Sequence, residues 1–312
     1  MKKRQYNIFN RIRRMFEKKD EFRIIAEAKY NEEDYESAIE YFSKSIEKDP
    51  DNYVSYHDRG VCKGLLDQHE SALMDFSTAI MLNPIKYTAY FYRGNCKASL
   101  NDHIGALEDY NKAIQLNPNS AEYYGALGYY KSTLYDLQGA IQDYSKAIQL
   151  DPTNFLLFSN RGICRIELLE YEGAIKDFST AIQLDPNNPS NNYYNRGSCK
   201  DFLKDYKGAI EDYSIAIKLE PNSHLYYNAR GFSNIRLEYD EAAIEDLSKS
   251  LELNKFDAHS YYVRAILKLR ANRKYAIATI LSDLDSAIHL GHDEAQVVMD
   301  QLLNNQVINV NL

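Results

Sequence analysis

The chain has 312 residues, 45% hydrophobic and 26% charged, a balance that fits a folded domain and excludes intrinsic disorder. Its net charge of -8 is uneven. Residues 1–19 carry eight Lys or Arg against Glu17 alone, so that segment is +7 and the remainder -15, an acidic body that phosphate backbones repel and for which no nucleic-acid partner is expected.

No run approaches the roughly 18 apolar residues of a membrane span, and no apolar signal core stands at the N-terminus, so a cytoplasmic location is expected. Only 13 Gly and 7 Pro occur, while 27 Tyr and 12 Phe stand against no Trp. Helix breakers are scarce enough that their placement carries meaning.

In chain order, residues 1–18 come first. Ile8, Phe9, Ile12, Met15 and Phe16 share one helical face, with Arg11, Arg13, Arg14 and Lys18 around the rest. Such a basic amphipathic helix either caps the exposed apolar face of the adjoining repeat or lies on an anionic membrane as a peripheral contact.

From residue 19 the chain repeats. Pro50, Pro84, Pro118, Pro152 and Pro186 are 34 residues apart, Pro221 comes after 35, and Pro189 sits in the turn holding the extra residue. The period divides the chain into units 19–52, 53–86, 87–120, 121–154, 155–188, 190–223, 224–257 and 258–290. Position 8 of successive units is tiny: Ala26, Gly60, Gly94, Gly128, Gly162, Gly197, Gly231, Ala265. Position 20 is alanine in the first seven units, from Ala38 to Ala243. Position 24 is Phe42, Phe76, Tyr110, Tyr144, Phe178, Tyr213 and Leu247, and position 4 is aromatic throughout. These spacings form two separate 3.6-residue stripes, so each unit is predicted to be two amphipathic helices. Small residues at 8 and 20 let the backbones approach while aromatics at 4 and 24 fill the space beside them. The proline at position 32, lacking an N–H, is expected to end the second helix.

This signature resembles the tetratricopeptide repeat over residues 19–290. The resemblance implies an all-α, right-handed superhelical solenoid of about eight helix-turn-helix units, with a capping helix at 291–304 and a tail at 305–312. It also implies a non-catalytic protein–protein interaction scaffold or adaptor. Some positions depart from the pattern. Unit seven has Lys255 in place of the proline and Asp240 at a usually aromatic position. Unit eight regains register only with about three residues inserted around Tyr275–Ile280, restoring Leu284, Ala287 and Leu290. Asp293–Leu303 then reads as a terminal helix, with Val298, Leu302 and Leu303 covering the open end.

Position 7, usually leucine in the family, is Arg59, Arg93, Arg161, Arg196, Arg230 and Arg264, with Leu127 and Ile25 in the other two units. Position 23 holds Asp75, Asp109, Asp143, Asp177, Asp212, Asp246 and, allowing for the insertion, Asp283, with Tyr41 in the first unit. Either the two charges pair inside each hairpin or each snorkels to solvent separately.

Chemistry-bearing motifs are few. Cys62, Cys96, Cys164 and Cys199 all occupy position 10, so they are spread along the array and read as reduced packing residues. His289 and His292 straddle Gly291 without a thiolate partner, and Asp283 and Leu284 are already repeat positions. No phosphate loop, GxSxG or HExxH occurs, so neither catalysis, cofactor nor metal is expected.

In the family the first helices line a concave groove through positions 2, 5, 6, 9, 12 and 13. The resemblance therefore nominates Phe91, Tyr92, Asn95, Tyr129, Asn160, Tyr194, Asn195, Asn228, Phe232 and Tyr262 for a protein or peptide ligand. Tyrosine offers rigid area and asparagine pairs with peptide backbone; alternatively several of these rings pack between adjacent first helices. The Lys, Arg and Asn clamp by which some relatives hold acidic C-termini is not matched, since Ala126 and Ala229 stand where it needs Asn and Arg. Self-association into a structural solenoid, and a regulatory subunit held at a membrane by residues 1–18, are the alternatives.

Overall fold

The computed structural model describes residues 20–185, 189–271 and 274–304, so the basic segment 1–18 and the tail 305–312 lie outside the described residues. Among these residues all regular structure is α-helical, with seventeen helices and no strand. The chain divides into two compact units, one ending at Leu134 and the other beginning at Tyr135, inside the fourth repeat.

The first unit pairs α1 (Glu21–Asn31) with α2 (Tyr35–Lys48), α3 (Tyr53–Leu65) with α4 (His69–Leu82) and α5 (Tyr87–Ser99) with α6 (His103–Leu116), then adds α7 (Ala121–Thr133). The second opens with α8 (Leu137–Leu150). It continues with the pairs α9 (Phe155–Glu167) and α10 (Tyr171–Leu184), α11 (Ser190–Phe202) and α12 (Tyr206–Leu219), α13 (His224–Arg236) and α14 (Asp240–Leu253), and α15 (Ala258–Arg270) and α16 (Ile277–His289), and closes with α17 (Asp293–Leu303). Within each unit successive hairpins stack on one another, α2 on α3 and α4 on α5, then α10 on α11 and α12 on α13.

The stripes explain the pairing. The position-20 alanines Ala38, Ala72, Ala106, Ala140, Ala174, Ala209 and Ala243 are fully buried, and so, almost completely, are the position-24 side chains from Phe42 to Leu247. In the hairpins of repeats two, three, five, six and seven the position-24 side chain rests on the glycine at position 8. A Cβ built on Gly60 would meet Phe76 at 2.9 Å, and one on Gly162 would meet Phe178 at 2.9 Å. The close approach of the two helices therefore requires glycine there.

The second helices stop two residues before Pro50, Pro84, Pro118, Pro152 and Pro221. However, α14 stops at Leu253, two residues before Lys255, so helix termination does not depend on the proline. The turn between the helices of a hairpin is built on a left-handed residue at position 15: Glu33, Asp67, Asn101, Tyr135, Leu169, Lys204 and Glu238 all have φ between 57° and 64°. In the Leu169 turn the Leu169 N–H donates to Ile166 O and the Glu170 N–H reaches back to Arg165 O, satisfying carbonyls that the helix end would leave open.

Arginine and aspartate do pair, and the arrangement is richer than a pair. Arg59 grips Asp75 through Nε (2.9 Å) and Nη2 (2.7 Å), and Arg93–Asp109, Arg161–Asp177, Arg196–Asp212, Arg230–Asp246 and Arg264–Asp283 repeat the two-pronged contact. The last pair is separated by 19 residues instead of 16, the three-residue insertion inferred for the eighth repeat. The remaining nitrogen, Nη1, donates to a serine on the second helix of the preceding repeat, as in Arg59 to Ser43 (2.9 Å), Arg161 to Ser145 (2.9 Å) and Arg230 to Ser214 (2.9 Å). Each guanidinium also lies over the position-4 ring of its own helix, 5.2 Å from the ring centre for Arg196 over Tyr193. A second donor at position 11 completes the carboxylate: Lys63, Lys97, Arg165, Lys200, Lys268 or, on Asp246, Asn234.

α17 packs its Ala295 and Val298 onto the core of the last hairpin beside Val263 and Ile266, and Leu302 joins them. Leu303, expected on the covered face, is instead 63% exposed, because the helix ends there.

Candidate interaction groove

The first helices place their position 5, 6, 9, 12 and 13 side chains on one face. In the first unit this face holds a cavity of about 370 Å³ lined by Glu27, Tyr30 and Asn31 of α1, His57, Asp58 and Val61 of α3 and Tyr92 of α5, with Phe42 of α2 also on its wall. Among the described residues no lysine or arginine lines it. A second hollow of about 180 Å³ continues from Tyr92 to Asn95, Gly64 and His69.

His57 is 9% exposed, its Nδ1 lies 2.8 Å from Asp58 Oδ1, and its Nε2 finds no hydrogen-bond partner among the described residues. Burial raises the Tyr92 hydroxyl above the usual tyrosine range, and the carboxylates of Glu122 and Asp58 push it further the same way. The field at that wall of the groove is thus negative.

The ten residues nominated from sequence do different things. Phe91 is buried and stacks on Tyr123 at 4.6 Å, so it packs between first helices. Asn95 accepts the Tyr110 hydroxyl at 2.8 Å, and Asn228 donates to Asp257 (3.0 Å) and Ser260 (2.7 Å), so both already serve the fold. Tyr194 is half-buried against Tyr213 and Tyr226. Tyr129 is 60% exposed, while Asn160 and Asn195 are half-buried. Phe232 and Tyr262 come together in the second unit around a cavity of about 230 Å³ with Ile235, His259 and Glu294. There Phe232, His259, His292 and Tyr262 form a continuous ring stack. Tyr92 is the nominated residue that fronts the first-unit cavity of about 370 Å³.

Its other lining residues from the first helices of repeats one and two, Glu27, Tyr30, Asn31, His57, Asp58 and Val61, are absent from the sequence nominations. The position rule that selects Tyr92 also covers them, at positions 9, 12 and 13 of the first repeat and 5, 6 and 9 of the second.

The four cysteines are buried and unpaired, and burial pushes the thiols up, Cys62 to about 12 and Cys96 and Cys199 to about 11. Among the described residues no helix is long and apolar enough to cross a membrane.

Hairpins on a 34-residue period, stacked one on another within each unit, define an all-α helical-repeat protein. Two models of the family described as tetratricopeptide repeat match it, one over residues 87–120 and the other over 24–52, 121–154 and 190–223. Those segments are tetratricopeptide repeats, and the resemblance read from the sequence stands. A comparison with curated protein sequences finds no match.

Similar solved structures include the C-terminal part of a TPR repeat-containing protein from Cytophaga hutchinsonii, with TM-score 0.66 and 23% identity over 77% of this chain and 98% of that one. A tetratricopeptide repeat protein from Parabacteroides merdae has TM-score 0.55 and 20% identity over 81% and 98%. YrrB, described as a TPR protein with an unusual peptide-binding site, has TM-score 0.54 and 21% identity over 61% and 97%. Such a fold generally serves as a protein-interaction scaffold.

Proposed function

We propose that this protein is a non-catalytic cytoplasmic scaffold that binds a peptide, or a partner's exposed segment, along the face of its first helices. The observation that carries the reading is the cavity of about 370 Å³ built almost wholly from first-helix positions. Tyr30 and Asn31 stand exposed on its wall, and Tyr92, though stacked on Phe76, is half-buried and fronts the space, leaving these three to meet a ligand. The peptide-binding site named for YrrB lends the same direction by analogy of fold alone. Reduced, buried cysteines suit a cytoplasmic setting.

The test is selection of phage-displayed random dodecapeptides on the full chain and on the Tyr92→Ala/Tyr129→Ala/Asn160→Ala variant, whose folding is checked by circular dichroism. Enrichment on the wild type and its loss on the folded variant is the expected result. Equal enrichment on both would place binding elsewhere and overturn the groove.

A further inference from the structure

The chemistry of the first-unit cavity is specific enough to choose among ligands. Two carboxylates, Glu27 and Asp58, line it, and among the described residues neither lysine nor arginine does. Asp58 Oδ1 lies 2.8 Å from His57 Nδ1, and the buried His57 Nε2 has no partner among the described residues. A buried polar atom left without a partner calls for one. Tyr30 and Tyr92 add two aromatic rings to the wall, Tyr92 with one face stacked on Phe76, and ring faces attract a cation. Glu122, at position 2 of the next first helix, extends the negative field toward Tyr92.

Among the described residues Glu27 is bonded by Arg23, 3.2 Å away on the preceding turn of α1, and the Glu27 side chain is still 42% exposed. Elsewhere this protein satisfies aspartates with a two-pronged arginine stacked on a ring, as in Arg59 on Asp75 over Tyr56. In the cavity Asp58 has rings beside it but, among the described residues, no arginine on it.

Resting on the reading that the groove takes peptides, we infer that the cavity between α1, α3 and α5 is a pocket for an arginine side chain carried by an extended stretch of a partner protein. The guanidinium donates to Asp58 and Glu27 and lies against Tyr30 and Tyr92, while the flanking backbone runs along Asn31. Planarity and a fixed fork of donors favour arginine over lysine in such a setting. The acidic body, -15 beyond residue 19, draws basic partners toward it.

The probes are synthetic dodecapeptide mixtures, degenerate at every position except the sixth, which is Arg, Lys, citrulline or Glu. They are passed over the immobilised full chain and the retained peptide is quantified. Citrulline keeps the shape of arginine and removes its charge. The Arg mixture is expected to be retained about tenfold more than the citrulline mixture, a ratio equivalent to about 1.4 kcal/mol, with the Glu mixture least. In the Glu27→Gln/Asp58→Asn variant the Arg-to-citrulline ratio is expected to fall toward one, with the circular dichroism spectrum unchanged.

Equal retention of Arg and citrulline on the wild type, with retention still lost in Tyr92→Ala, would overturn the arginine pocket and leave the groove standing. An Arg preference that survives in the double variant would trace it to the acidic surface at large and also overturn the pocket. Retention of no mixture above a blank column would remove both.

Discussion

At the scale of single residues, the rung of arginine, aspartate and serine is the unit of construction. Its charges are fully committed: on Asp246, Arg230 supplies Nε and Nη2 and Asn234 a third donor, while Arg230 Nη1 goes to Ser214. Such a pair contributes less by existing than it costs when broken, because the remaining partner is left buried and uncompensated. Asp246→Ala is therefore expected to lose about 3 kcal/mol in urea unfolding, and the double variant Arg230→Met/Asp246→Leu much less than the two single changes combined. Additive losses would show that the two side chains act independently.

The buried thiols make a second prediction. With Cys62 pushed up to about 12 and Cys96 and Cys199 to about 11, thiolate is scarce at neutral pH. The native protein should react negligibly with DTNB, and the unfolded chain should release four equivalents.

Arginine and aspartate were legible in the sequence because both recur on the 34-residue beat. The third arm of the rung was not, since the serines Ser43, Ser145 and Ser214 belong to the preceding repeat and look like ordinary helix-surface residues. Only stacking of one hairpin on the next brings them within 3 Å of the guanidinium.

At the scale of elements, glycine acts by space in one place and by its absence in another. Gly162 faces the fully buried Phe178 ring, which has nowhere to go, so Gly162→Ala is expected to destabilise by about 1–3 kcal/mol through overpacking. Gly64, also helical, has nothing within 4 Å of its would-be Cβ. Gly64→Ala should leave stability unchanged or raise it by about 0.5–1 kcal/mol. Thermal unfolding of the two variants side by side checks both, and equal effects would contradict the packing account.

The turns invert the argument. Leu169 holds φ 61° and is 69% exposed, a conformation that costs an L-residue roughly 1–2 kcal/mol. Leu169→Gly should raise stability by about 1 kcal/mol, and a loss would show that the side chain contributes packing that offsets the strain. These turns could not be read from sequence. Their left-handed residues are Glu, Asp, Asn, Tyr, Leu and Lys, so the usual glycine signal is missing and only hairpin geometry imposes the conformation. The stop of α14 without proline carries a related lesson, since the hairpin sets helix length and proline merely agrees with it.

For the whole molecule, buried thiols and phenols couple stability to pH. Folded thiols with raised pKa, alongside Tyr110, Tyr123 and Tyr213 raised by burial, hold their protons more tightly than the unfolded chain does. The unfolded chain therefore releases protons first as pH rises. The stabilisation from these groups is complete below about pH 9 and is lost progressively as pH climbs toward the folded values, near 12 for Cys62. The melting temperature should hold steady from neutral pH to about 9 and then fall, whereas a flat profile to about pH 11 would show that these groups are solvated. The fold class was legible because the period repeats eight times; the groove was only partly so. Position numbers select a face, but they do not say which aromatics on it are buried in packing, as Phe91 is, which are shared between packing and the cavity, as Tyr92 is, and which stand exposed, as Tyr129 does.

The claim on which the rest turns is that ligands meet the first helices and leave the second helices alone. Hydrogen exchange of the full chain, with and without a saturating library-selected dodecapeptide, tests it directly. Slowed exchange confined to α1, α3 and α5 is the predicted result. Protection concentrated instead in α2, α4 and α6, or no change at saturation, would contradict it.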